Sequence, residues 1–134
     1  MEERGILNEQ LRTVNQSLCY LMLIILSVIL SFRSVLIQRE QLEETLAGQP
    51  AGCWNVYPIR LSASVLVVSA LGFFFCLALR TCRDASRGDD PAAQKSAGMN
   101  LWASLFVLAA ALIRLYDLNF TEEIRCCRAA AGAP

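Results

Sequence analysis

"LSASVLVVSALGFFFCLAL", residues 61–79, is bracketed by Arg60 and Arg80 and holds no charged side chain. Its polar residues are Ser62, Ser64 and Ser69 alone. A helix on the surface of a soluble core carries a polar stripe at 3.6-residue spacing, and three serines do not make one. A helix that crosses a bilayer needs about 20 mostly apolar residues, and this stretch has that length. It reads as a membrane span.

Two neighbours repeat the pattern. Between Arg12 and Arg33 lie twenty uncharged residues that include "LCYLMLIILSVILSF", and between Lys95 and Arg114 lie eighteen that include "LWASLFVLAAALI". Spans are therefore placed near 18–37, 59–79 and 99–118, the first and third each taking in one arginine close to the exit. The 134-residue chain is 55% hydrophobic and only 18% charged, against roughly a quarter charged for a soluble domain. Its mean hydropathy is +0.43. The expected fold class is all-α, a single integral membrane domain over 1–134 built as a three-helix bundle whose helices extend beyond the bilayer. The first span reads as retained: "MEER" is no clean basic start, and no small-residue cleavage site follows in "RSVLIQREQLEETLAG".

Turn residues divide the chain between the spans. "AGQPAGCWNVYP", with two glycines and two prolines, predicts a connection over about 48–58. Gly88 as a stop, then Asp89, Asp90 and Pro91 as an N-cap and a first-turn proline, predict a second connection over about 84–90. The terminal residues 129–134 read as a frayed tail.

The first helix should outrun the bilayer. Leu7, Leu11, Val14 and Leu18 alternate spacings of four and three, and the register continues through Leu21, Ile25, Val28, Phe32 and Val35 to Leu42 and Leu46. Outside the span these apolar residues are set among Glu, Gln, Arg and Asn, which marks an amphipathic seam. The helix is predicted over about residues 5–47. The third helix continues likewise through "TEEIRCCRA", emerging on the same side as "QREQLEETL", where the two arms either pack together or stand apart in solvent.

Lipid supplies no hydrophobic drive between helices, so association relies on close approach at small residues and on interhelical hydrogen bonds. Seven-residue spacing singles out Ser62, Ser69 and Cys76 on the second helix and Ala103 with Ala110 on the third, while the first carries Ser27, Ser31 and Ser34. These are the predicted packing faces. Arg33 and Arg114 lie four residues before the ends of parallel spans, about 6 Å inside one boundary, and Arg60 opens the second span on that side. With Asp117, three residues from Arg114 and within reach of an i,i+3 pair, they form a candidate polar membrane cluster. Either each guanidinium snorkels to the headgroups, or the group turns inward to hold an anion or lipid headgroup or to gate a path.

Catalytic chemistry finds little footing. The chain has no histidine, which removes imidazole bases and the usual zinc patterns, and it lacks GxSxG and phosphate-cradling glycine loops. No enzyme activity, cofactor or metal is expected. Cys19 and Cys76 read as small apolar residues within spans. Cys53 and Cys126–Cys127 fall on one side, where an oxidising compartment would allow a disulfide; Cys82 and the Cys126–Cys127 pair are palmitoylation candidates in a eukaryotic host. Twelve basic and twelve acidic residues cancel, leaving no electrostatic footprint for nucleic acid.

The expected partners are therefore the lipid bilayer and either a second copy or another membrane protein. Six basic residues fall on each side of the membrane, and the compact cluster from Arg80 to Lys95 tips the N-terminus toward the cytoplasm, with the cell membrane as the expected location. The leading functional expectation is a small multi-pass protein acting through helix association, as a homo-oligomer or accessory subunit. The alternative is a pore former or transporter subunit whose copies line a path with Ser27, Ser31, Ser34, Arg33 and Arg114. Three spans, small size and a charged tail look like the general plan of a phage holin, an architectural similarity that implies pore formation.

Overall fold

Residues 1–49 and 55–132 are described by the computed structural model, and three helices account for nearly all of them. These are α1, Glu2–Leu46, α2, Tyr57–Arg87, and α3, Pro91–Ala130. No strand occurs among the described residues. At about 1.5 Å per residue the 45 residues of α1 run to roughly 68 Å, more than twice the hydrocarbon thickness of about 30 Å.

Each helix end has a local cause. After Leu46 the chain turns through Gly48, whose φ of 72° lies in the left-handed region that glycine enters without a Cβ penalty. There Gly48 N–H donates to the Thr45 carbonyl and Gln49 N–H to that of Glu44, both at 3.1 Å, closing a Schellman motif. At the start of α3 the Asp90 side chain accepts from Ala92 N–H at 3.0 Å, and Pro91 occupies the first helical position, where a missing N–H costs nothing.

The connections are shorter than the turn residues predicted. Helix α2 continues to Arg87, leaving only Gly88–Asp90 in place of the expected 84–90. Gln94 braces this link by donating from Nε2 to the Gly88 carbonyl at 2.8 Å. At the first connection Tyr57 and Pro58 already belong to α2, since a first-turn proline starts a helix as readily as it breaks one. The rest of that predicted segment, with Cys53 and Trp54, lies largely outside the described residues. Residues 129 and 130 of the expected frayed tail complete α3, and the last two residues of the chain lie outside the described ones.

Helix α2 is the middle of the bundle. It packs against α1 on one side and α3 on the other, while no Cα of α1 comes within 8 Å of α3 among the described residues. The arms "QREQLEETL" and "TEEIRCCRA" therefore stand apart within one chain. Within the helices what is buried is small: Ala63, Ala70 and Ala78 on α2, Ser27 and Ser34 on α1, Ala97 on α3. Small side chains let helix backbones approach where lipid, not water, surrounds them. Among the described residues the one cross-helix aromatic stack is Tyr20 on Phe73, ring centroids 4.1 Å apart. Tyr57 Oη adds a bond from α2 to α3 by donating to Asn119 Oδ1 at 2.8 Å.

The three most apolar windows are only 11%, 17% and 6% buried within the chain. A soluble three-helix domain would hide these stripes in a core, because contiguous exposed apolar surface of this extent is rare in water. All three helices are long and apolar enough to cross a membrane, which fits a transmembrane helical bundle.

Candidate functional site

Because α1 and α3 flank α2 without meeting, a cleft of about 770 Å³ opens between them over α2. From α1 it takes Ser31, Ser34 and Gln38, spaced three and four apart and hence on one helical face. From α2 come Arg60, Ala63 and Ser64, and from α3 Ala110, Arg114 and Asp117. Three of the four residues of the polar cluster thus line one cleft. Arg33 does not line the cleft: its neighbour Ser34 is 3% exposed against α2, and one residue turns a helix by about 100°, so the Arg33 side chain leaves on another face. The expected Arg114–Asp117 pair is also not formed. Among the described residues the ion pair is Arg39 Nε with Glu43 Oε1 at 2.8 Å, so both cleft arginines are free of a carboxylate partner within 4 Å.

The packing faces keep the seven-residue period but shift in phase. On α2, Ser62, Ser69 and Cys76 are exposed. Ser62 and Ser69 satisfy their hydroxyls on the carbonyls of Pro58 and Val65, each at 2.8 Å; a serine bonded to its own helix in this way can face lipid. The buried series is Ala63 and Ala70, one residue on. On α3, Ala103 and Ala110 are exposed, and the inward series is Ala97, Ser104 and Ala111, the last two half-buried. Both helices carry two small-residue series side by side, and spacing alone does not choose between them. On α1, Ser27 and Ser34 are buried, while Ser31 is exposed to the cleft and donates to the Ser27 carbonyl at 2.9 Å. The pair Tyr20 and Phe73 escaped the sequence reading; its available signal was two aromatic residues at one depth on antiparallel spans.

The second feature is a stripe that nothing covers. Leu7, Leu11 and Val14 are 62%, 59% and 55% exposed, and Leu42 and Leu46 are 62% and 81% exposed. Between them Leu18, Leu21, Ile25, Val28, Phe32 and Val35 are all exposed too. The helix turns Thr13, Tyr20, Ser27, Ser34 and Gln41 toward α2, seven residues apart, so the leucine and valine register faces away from it, with Val35 at the edge of the cleft. In heptad terms the stripe fills the a and d positions, broken at Arg39. Glu9, Arg12, Glu40 and Glu44 fall at b and f, away from the seam, whereas Asn8, Gln10, Asn15 and Gln38 flank it at e and g together with Glu3 and Glu43.

Among the described residues no three His, Cys, Asp or Glu side chains gather as metal ligands would. No family model, curated protein or solved structure matches this chain, so the functional reading rests on its own geometry.

Proposed function

We propose that this chain is a small multi-pass protein of the cell membrane that works by helix association, with α1 as the associating surface and a second copy of the chain as its first partner. The supporting observation is the uncovered a/d stripe beyond both ends of the 18–37 span. Lipid tails cover apolar residues inside the bilayer, but Leu7, Leu11, Leu42 and Leu46 lie outside the hydrocarbon, where water disfavours them. Copies inserted with one topology hold α1 parallel, so a meets a and d meets d. The charged flanking residues, Glu3 at g and Glu43 at e, would face Asn8 and Gln38 of the second copy, so no like-charge pair forms between the flanks, and Arg39, the polar interruption, fixes register at some cost in stability. Its own Glu43 neutralises it at 2.8 Å. The N-terminus is placed in the cytoplasm with the Arg80–Lys95 cluster, by the positive-inside rule.

A cysteine-free variant carrying Leu42→Cys tests this in native membranes. Oxidation should give a disulfide dimer, whereas Ile124→Cys in the same background should stay monomeric. Absence of the Leu42→Cys dimer at native expression would remove self-association and leave the accessory-subunit form. The pore reading has weaker support. Ser27 and Ser34 are buried against α2 and Arg33 is outside the cleft, so its five lining residues do not share one surface.

A further inference from the structure

The cleft changes chemistry along its length. Arg60, Arg114 and Asp117 stand at the end nearest the α1–α2 connection, while Val67, Leu71 and Val107 line the other. Arg60 and Leu71 are eleven residues apart on α2, about 16 Å at helical rise, and one leaflet's share of the hydrocarbon is about 15 Å. The cleft is therefore one leaflet deep, charged at the rim, apolar beneath, and open between α1 and α3. Its three charges sum to +1, from two arginines and one aspartate, and neither arginine is held by Asp117.

Snorkelling alone accounts for single arginines that reach up to the headgroups. It does not account for two arginines lining one cleft together with Ser64, Thr121 and Gln38. A planar guanidinium matches a phosphate through paired N–H donors. The apolar lower half adds a requirement that a free anion does not meet, a hydrocarbon chain.

We propose that this cleft holds one anionic glycerophospholipid, its phosphate between Arg60 and Arg114 and an acyl chain along Val67, Leu71 and Val107. The site does not rest on self-association through α1, and the variants below leave every a and d residue of the stripe in place. Electrostatics also set the sign of the aspartate's effect: Asp117 opposes an anion, so its removal strengthens binding.

The full chain is placed in nanodiscs of equal parts phosphatidylglycerol and phosphatidylcholine, and retained lipid is counted by native mass spectrometry. Phosphatidylglycerol should be retained in preference. At roughly fivefold per charge near the membrane surface, R60Q/R114Q should weaken that retention roughly 25-fold and D117N should strengthen it roughly fivefold. Val107→Trp, which fills the apolar half at a residue already 51% exposed, should expel the lipid with both arginines intact. If R60Q/R114Q loses helix content, D117N carries the test, since it removes neither cation nor bulk. Equal retention of the two lipids, or retention indifferent to all three variants, would overturn the proposal. Displacement of the lipid by millimolar inorganic phosphate would assign the site to a free anion and overturn it as well.

Discussion

Replacing Leu11 and Leu42 of α1 by alanine should weaken self-association about a thousandfold. The two side chains are 59% and 62% exposed, so roughly six-tenths of each is left for a second copy to cover. Full burial of a leucine is worth about 1.5–3 kcal/mol, which puts about 1–2 kcal/mol at each site. Alanine keeps part of this, leaving a loss of roughly 1 kcal/mol per site per chain. A dimer has four such sites, so the loss is about 4 kcal/mol, or close to three decades in Kd. The two positions are 31 residues apart, about 46 Å along the helix, far enough for their effects to add. Energy transfer between donor- and acceptor-labelled chains in liposomes, titrated by protein-to-lipid ratio, reads the constant. Leu26→Ala is the control, 45% exposed at a b position, and should change nothing. A double variant within threefold of the parent would refute the assignment of α1 as the associating face.

Three further expectations concern stability in detergent. Ala70 is fully buried at the centre of α2, so Ala70→Leu should overpack the seam and cost about 1–3 kcal/mol, read as a lower Tm, whereas Ser69→Leu beside it should be neutral. Gly48→Ala meets no steric neighbour but must hold φ at +72°, a conformation that costs a residue with a Cβ about 1–2 kcal/mol; hydrogen exchange should show the last turn of α1 opening earlier. Asp90→Ala removes the side-chain acceptor of Ala92 N–H and should destabilise the start of α3 by about 1 kcal/mol, visible as faster exchange at Ala92 and Ala93; unchanged exchange there would mean the cap is not holding the turn.

Much of this arrangement was legible because lipid simplifies the code. A run such as residues 61–79 admits few structures, since an unpaired peptide group in hydrocarbon is too costly for anything but a helix or a closed barrel. The cap at Asp90 was readable for a similar reason, a local hydrogen bond tied to one residue type. Rotation about the helix axis was not readable. Inside the span of α2 every face is apolar, so Ser62 and Ala63 compete for the interface, and the outcome depends on which neighbours arrive on each side. The same degeneracy hid the rotation that separates Arg33 from Arg60 and Arg114. Helix α1 shows the complementary case: its leucine register was clear, yet within one chain a different face, with Ser27 and Ser34, meets α2.

Among the described residues, the helix–helix contacts join only helices that follow one another in the chain, with α2 touching both partners and the outer two not meeting. Assembly during synthesis then needs no helix to wait for a distant mate: α1 can dock as soon as α2 emerges, and α3 can fold back at once through Gly88–Asp90. Short sequence separation between contacting segments goes with fast folding. It also makes the polypeptide divisible, so that two fragments cut between Leu46 and Tyr57 and co-expressed should find each other again in the bilayer, whereas an α1–α3 fusion lacking the central helix should have nothing to hold it together.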